Sequence, residues 1–233
     1  MTDLRIDRRD LLTAGALLSV GAATLPANAA PAAPMTAGYA PQPVPLPFDP
    51  KSITGLSEKL LISHHDNNYV GAVKRIGAIT GQVAALDPAT APGFQINGLK
   101  REELIAWNSM ILHELYFAGL GAPSKPGAKL AAAIERDFGS DARWRAEFAG
   151  MGKALGGGSG WVLLTYSHRD NRLVNQWAGD HTMMLAGGTP ILALDMYEHA
   201  YAMDYGAKAA AYVDAFMATT NWTSADARFA KAA

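Results

Sequence analysis

The sequence contains no cysteine, and this absence narrows the chemistry that the chain can perform. Disulfide bonds, thiolate metal ligands and cysteine nucleophiles are excluded, so any bound metal must be held by histidine and carboxylate side chains. An excess of positive charge is lacking too, because 20 lysines and arginines stand against 21 aspartates and glutamates. A nucleic-acid-binding protein normally carries a clustered basic excess, so we expect no nucleic-acid partner.

Residues 1–30 lack an apolar run long enough for a permanent membrane anchor. Arg8 and Arg9 precede a mildly apolar stretch at 13–25, and the small residues 27–29 offer a cleavage site. A run of about a dozen apolar residues is too short to cross roughly 30 Å of hydrocarbon. The pattern is typical of a twin-arginine export signal, so we expect a periplasmic or secreted protein.

The remaining chain divides into a leader, a helical segment and a segment that mixes helices and strands. Residues 31–50 are rich in proline and should form an extended leader. A helical hairpin is predicted in 51–124, where Ser57 has the character of an N-cap and apolar residues recur at helical spacing over 58–86 and 101–120.

Residues 125–233 are expected to form an α/β domain that follows the hairpin. Helical patterns come first, then short alternating segments separated by turn residues, and helix returns from Glu198. The predicted strands are 161–166, 172–177 and 190–195. The fold class is therefore α+β, an N-terminal helical hairpin followed by a C-terminal lobe with a three-stranded antiparallel sheet and helices.

Three of the six histidines lie on apolar sides of predicted helices, where an unpaired imidazole would be costly. These are His64, His113 and His199, and Asp195 stands at the end of a predicted strand. A set of three imidazoles and one carboxylate suits iron, manganese or zinc with one coordination position left open. His168, by contrast, lies in the predicted hairpin turn and is expected to be solvated.

Several short motifs, in order, resemble the iron/manganese superoxide dismutases. The segment "DMYEHAYAMDY" resembles that family's D-x-W-E-H-A-Y signature, and "GGGSGWVLL" its Gly-Ser-Gly-Trp element. "PLPFDPKSITGLS" is similar to the family's N-terminal entry, "HELYF" to its H-x-x-Y-W helix, and Asn221-Trp222 to its C-terminal helix. The resemblance covers about residues 44–222.

The resemblance implies one iron or manganese ion per subunit and superoxide as the substrate. It assigns the metal to four ligands, namely His64, His113, Asp195 and His199. In the family, the glutamate before the last histidine reaches a ligand of a second subunit, so Glu198 implies a homodimer or a tetramer. Trp161, Tyr116 and Tyr197 are expected to form the wall of the site.

The resemblance also calls for a glutamine or histidine beside the metal-bound solvent. Ser109 stands where some members carry the glutamine, so His181 is the candidate for this role, and a histidine there favours iron over manganese. His181 is thus the residue expected to act directly in catalysis.

Some positions depart from the family pattern. In an ungapped alignment on an unbroken helix, the gateway tyrosine becomes Ala72. The family's histidine four residues after the first ligand becomes Asn68, and the tyrosine that usually pairs with this histidine becomes Ala202, so both ends of this hydrogen-bonded gateway pair are missing. On such a helix Tyr69 would lie about 140° from the face that carries His64, so Tyr69 is not expected to replace the gateway tyrosine. The usual tryptophans are replaced by other residues, Tyr197, Phe117 and Leu163.

The sequence therefore predicts a superoxide dismutase and leaves two alternatives open. One is an exported metal-binding or interaction protein on the same fold with little dismutase activity, because the gateway pair is absent. The other is a hydrolase with a zinc-bound water on the same ligands, although no general base is evident.

Overall fold

Three antiparallel strands form the sheet of the C-terminal lobe. The computed structural model describes residues 39–233, and the predicted export signal at 1–30 lies outside the described residues. The strand order is β2-β1-β3. The bounds are β1 Trp161–Ser167, β2 Arg172–Ala178 and β3 Gly188–Asp195. The prediction of a three-stranded antiparallel sheet is confirmed, and each strand starts or ends within about two residues of its predicted bounds.

The central strand β1 is buried at all seven positions, as expected for a strand with neighbours on both edges and helices on its faces. Its first residue, Trp161, lies opposite Asp195 of β3 and Ala178 of β2. This register brings the end of β3 and the loop that follows β2 to the same end of the sheet.

The helical hairpin contains three α-helices, α1 Glu58–Ser63, α2 Val70–Ala85 and α3 Gly93–Ala118. Ser57 is the N-cap of α1, because its hydroxyl oxygen accepts a hydrogen bond from the backbone N–H of Leu60 at 3.1 Å. Helix α3 begins directly after Pro92, earlier than the predicted start at residue 101. Gly93 and Gly98 weaken the helical pattern in that first part.

A π-helical segment, His64–Tyr69, lies between α1 and α2, so the expectation of an unbroken α-helix is wrong. At its C-terminal end the N–H of Val70 bonds to the carbonyl of His65, five residues earlier. Tertiary contacts hold this wider turn: a ring nitrogen of His65 lies 2.8 Å from the carbonyl oxygen of Val44, whose N–H donates to the Tyr69 hydroxyl.

Several of the remaining helices pack against the sheet, and the order of helices and strands along the chain follows the predicted pattern. Helix α5 contacts β1 and β2, while α3 and α8 contact β3. The helix predicted from Glu198 onward is interrupted at Gly206, whose backbone has φ 53° and ψ −127°. The bounds are α4 Ala128–Phe138, α5 Asp141–Ala154, a 3-10 turn Glu198–Ala200, α6 Ala202–Tyr205, α7 Ala209–Ala218 and α8 Thr223–Ala232.

The sheet and the hairpin share one hydrophobic core, and the described residues belong to a single compact unit. An isolated bridge pairs Leu120 at the end of the hairpin with Thr220 near the C-terminus. Among residues 39–233, no helix has both the length and the apolar character that a membrane span requires.

Candidate metal centre

Four side chains from separate elements converge at the junction of the hairpin and the sheet. They are His64 from the π-helical segment, His113 from α3, Asp195 from the end of β3 and His199 from the 3-10 turn. One ligand atom from each lies within 4.8 Å of all the others. We call these four side chains the ligand cluster. The structure therefore brings together every residue that the sequence analysis predicted as a ligand.

Short distances join the atoms that face the middle of the ligand cluster. Asp195 Oδ2 lies 3.1 Å from His64 Nε2 and 3.2 Å from His199 Nε2. His113 Nε2 lies 3.4 Å from His199 Nε2. The side chains of His64 and Asp195 have no exposed surface, whereas that of His199 is 27% exposed. The cluster is thus buried on all sides except the one that His199 covers.

The protonation of the ligand cluster suits a cation. The Nδ1–H of His113 donates to the backbone carbonyl of Ser109 at 2.6 Å, so its Nε2 carries a lone pair that faces the cluster. Burial lowers the pKa of His113 to about 3 and also lowers the pKa of His64, so both imidazoles are neutral. Neutral imidazoles and an ionised carboxylate are ligands that suit iron, manganese or zinc.

Asp195 is held so that one oxygen is free for a metal. Burial opposes its ionisation, but hydrogen bonds with His199 and His64 keep the pKa of Asp195 well below its usual range. The backbone N–H of Tyr197 donates to Asp195 Oδ1 at 2.8 Å, and the Tyr212 hydroxyl donates to the Asp195 carbonyl oxygen at 2.7 Å. Only Oδ2 is therefore left to face the three imidazoles.

His181 lies beside the ligand cluster in the loop between β2 and β3. Its ring centroid is 6.3 Å from that of His113, and its Nδ1 accepts a hydrogen bond from Trp161 Nε1–H at 3.1 Å. The ring stacks on Tyr197 at 4.9 Å, and Tyr197 stacks in turn on His199 at 5.4 Å. Burial lowers the pKa of His181, which keeps the imidazole neutral.

Tyr116 and Trp161, which were predicted as wall residues, lie beside the ligand cluster. Trp161 and Tyr116 have no exposed surface, and the Tyr116 ring is 5.0 Å from the His64 ring. The hydroxyls of Tyr116 and Tyr212 lie 3.3 Å apart, and burial raises the pKa of Tyr116. Phe117 packs against His64 at 5.0 Å, in the place where the family resemblance calls for a tryptophan.

Two of the residues predicted near the site form no side-chain hydrogen bond with the ligand cluster. Glu198 is exposed and lies at a surface cavity together with Lys153 and Tyr201. Asn68 is half-buried, and its side chain makes no hydrogen bond to any residue that the structure describes. Among residues 39–233, neither residue has a contact that explains a role at the ligand cluster.

Tyr69 occupies a different position from the one that an α-helix would give it. The π-helical segment turns more slowly than an α-helix, so the angular argument against Tyr69 does not hold. Its hydroxyl nevertheless donates to Glu114 Oε1 at 3.0 Å and accepts from the Val44 N–H at 2.9 Å. The hydroxyl is therefore engaged with the leader and with α3.

Two residues at the centre were not predicted from the sequence. Tyr212 holds the Asp195 carbonyl from α7, and Asn108 on α3 donates its Nδ2–H to the His181 carbonyl oxygen at 2.5 Å. Tyr212 stands at an apolar position of a helix, where an aromatic side chain indicates core packing only. Asn108 bonds a residue 73 positions away, and nothing in the local pattern indicates such a contact.

The C-terminal part of the chain matches a known family. The family model described as "Iron/manganese superoxide dismutases, C-terminal domain" matches residues 126–228. This region carries Asp195, His199 and His181.

Relatives similar over most of the chain carry related names. A protein of Cupriavidus metallidurans named "Superoxide dismutase [Fe]" is 69% identical over 188 residues, which cover 81% of this chain and 95% of the relative. "Superoxide dismutase [Mn] 1" of Halobacterium salinarum is 34% identical, over 81% of this chain and 94% of its own. "Superoxide dismutase [Fe]" of Aquifex pyrophilus is 31% identical, over 78% and 88%.

Proposed function

The chain belongs to the iron/manganese superoxide dismutases, and we propose that the ligand cluster binds the single metal ion of its active site. The chain is accordingly an oxidoreductase that converts superoxide to dioxygen and hydrogen peroxide. The observation that supports the assignment of ligands is the convergence of one carboxylate oxygen and three imidazole nitrogens within 4.8 Å.

The donor set of the ligand cluster fits this metal chemistry. A bound iron or manganese ion supplies a trivalent and a divalent state, which oxidise one superoxide and reduce the next. As metal ligands, three imidazoles and one ionised carboxylate would together add a single negative charge to the ion. The tyrosines and Trp161 around the cluster keep bulk water out, and the Ser109 carbonyl fixes the direction of the His113 imidazole.

His181 is our candidate for the residue that acts on the reacting oxygen species. The Trp161 Nε1–H donates to its Nδ1, and a neutral imidazole with an acceptor at Nδ1 carries its proton at Nε2. Nε2 makes no hydrogen bond to a residue that the structure describes, so this proton is available to a solvent or substrate atom beside His113. A donor fixed there favours an anionic oxygen in the open position.

Iron is the metal that we favour. The relative at 69% identity is named as an iron enzyme, while a relative at 34% identity is named as a manganese enzyme. The ligand side chains alone do not separate the two metals, because neutral imidazoles and a carboxylate suit both.

The proposal also covers the assembly of subunits and the location of the protein. We infer a homodimer or tetramer in which Glu198 reaches the partner subunit. The Glu198 carboxylate is exposed next to His199, and it forms no hydrogen bond with an imidazole among the described residues. We also propose export to the periplasm or beyond by the twin-arginine route, on the strength of Arg8 and Arg9 and the short apolar stretch that follows.

Metal analysis and a superoxide assay on Asp195→Asn test the assignment. This variant keeps the shape of the side chain but removes its charge, so it should lose most of its metal together with its activity. Asp214→Asn, an exposed carboxylate on α7, is the matched control and should keep both. An Asp195→Asn protein with full metal content and full turnover would contradict the assignment.

A further inference from the structure

The carbonyl group of His181 is held by a side chain from the opposite lobe. Asn108 Nδ2 lies 2.5 Å from the His181 carbonyl oxygen. Because a carbonyl oxygen only accepts hydrogen bonds, the amide nitrogen of Asn108 must be the atom that faces it. The contact links α3 to the loop between β2 and β3, and no motif or family resemblance assigns Asn108 a role.

The same helix also carries a member of the ligand cluster. His113 lies five residues after Asn108 on α3, and its Nδ1–H donates to the carbonyl of Ser109, the residue next to Asn108. A helix is a rigid element, so α3 fixes the distance between these two anchor points. The separation of the His113 and His181 rings, 6.3 Å between centroids, is therefore set in part by one helix.

We propose that Asn108 is a positioning residue for His181. Asn108 does not touch the reacting atoms, but holds His181 where its imidazole can. The proposal rests on the proposed function, in which His181 presents its Nε2–H beside the ligand cluster. Two contacts hold His181 in this position: Trp161 bonds the ring at Nδ1, and Asn108 bonds the backbone carbonyl.

Removal of the Asn108 contact should move His181 as a whole. The loop at 179–187 connects two strands, and its backbone depends on side-chain contacts such as that of Thr182 with Asp180. A carboxylate at position 108 has nearly the shape of the amide but would repel the carbonyl oxygen. A shift of about 1 Å in a group that assists the reaction reduces the rate by up to about 100-fold.

The loop offers a matched control for its general stability. Gln176 on β2 donates its Nε2–H to the carbonyl oxygen of Met183 at 2.6 Å, and both Gln176 and Asn108 are half-buried. Gln176→Glu therefore removes an amide donor from the same loop and adds the same charge as Asn108→Asp. The carbonyl that loses its donor is that of Met183, two residues from His181, and Gln176 has no link to α3.

The experiment compares Asn108→Asp, Gln176→Glu and His181→Ala in the full-length, metal-loaded enzyme. For each, kcat and KM, the midpoint potential of the metal and a crystal structure are measured. In Asn108→Asp we expect the Trp161 Nε1 to His181 Nδ1 contact to open, kcat to fall about tenfold and KM to change less than about twofold. The potential should move in the direction seen in His181→Ala, whereas Gln176→Glu should match the wild type.

The outcomes separate this inference from the proposed function. An Asn108→Asp enzyme with His181 in place and with wild-type kcat and potential would overturn the inference. Equal effects in Gln176→Glu would also overturn it, because they would show a general role in loop stability. If Asn108→Asp does not fold, Asn108→Ala is judged by the same criteria. Unchanged turnover and potential in His181→Ala would instead overturn the role of His181, while the crystal distance still decides whether Asn108 positions it.

Discussion

Both carboxylate oxygens of Asp204 bind Ser57, although 147 positions separate the two residues. Asp204 Oδ2 accepts from the Ser57 backbone N–H and Oδ1 accepts from the Ser57 hydroxyl, each at 2.7 Å. Ser57 is also the N-cap of α1, the helix that leads to His64. The contact therefore ties the start of one ligand-bearing segment to α6, just after the 3-10 turn that carries His199.

Asp204→Ala should destabilise the protein. It removes two hydrogen bonds to a charged group at an exposed site, so we expect the free energy of unfolding to fall by about 1 to 2 kcal/mol. Urea unfolding of the metal-loaded enzyme measures this change. Asp214→Ala removes an exposed aspartate paired with Lys153 on the surface and should cost less than about 0.5 kcal/mol. Equal losses of unfolding free energy in the two variants would show that the Asp204 contact stabilises the protein no more than an ordinary surface ion pair.

His181→Ala should keep its metal and lose most of its turnover. The four ligands remain, but the Nε2–H donor beside them is gone, and the loss of one such donor typically reduces kcat by about 100-fold or more. Steady-state kinetics, metal content and midpoint potential are measured together. His168→Ala, which removes an imidazole from the hairpin turn, is the control and should behave like the wild type. Wild-type kcat in His181→Ala would rule out the role assigned to this residue.

Trp161→Phe should impair turnover beyond what a packing defect explains. The change removes the donor at His181 Nδ1, so the imidazole proton is free to move to that nitrogen, and we expect kcat to fall about tenfold. Trp144→Phe is the matched control, since Trp144 is equally buried and donates its Nε1–H to Asn175 at 3.0 Å, away from the ligand cluster. Both variants should lose stability, but only Trp161→Phe should lose turnover, and similar kinetics in the two would contradict this reasoning.

Glu198→Ala should weaken the assembly of subunits. If its exposed carboxylate pairs with an imidazole of a second subunit, its removal should raise the dissociation constant by at least about tenfold. Sedimentation over a range of protein concentrations measures this constant. Glu135→Ala removes another exposed carboxylate, on α4, and should leave the assembly unchanged. A variant at Glu198 that assembles as tightly as the wild type would disprove this part of the proposal.

The sequence predicted the strands and the ligand cluster well because their signals are local or carried by motifs. The strands are short apolar runs between turn residues. Three of the four ligands, His113, Asp195 and His199, lie in motifs that resemble one family, and His64 lies on the apolar side of a predicted helix. The start of α3 was predicted too late, because Gly93 and Gly98 weaken the helical pattern there.

Other features depend on contacts between residues distant in the chain, which no local pattern contains. The π-helical segment is held by the contacts of His65 and Tyr69 with Val44 of the leader. The hydrogen bond from Asn108 to His181 crosses from the hairpin to the β2–β3 loop. Such contacts emerge only when the packed structure brings the two segments together.

The central claim is that His64, His113, Asp195 and His199 together bind one redox-active ion. Anomalous diffraction at the iron and manganese absorption edges, on crystals of the enzyme purified from its own host, tests this claim most directly. We predict one peak per subunit, strong at the iron edge, in contact with three Nε2 atoms and Asp195 Oδ2. A peak at another place in the subunit, or a ligand cluster without any iron or manganese signal, would contradict it.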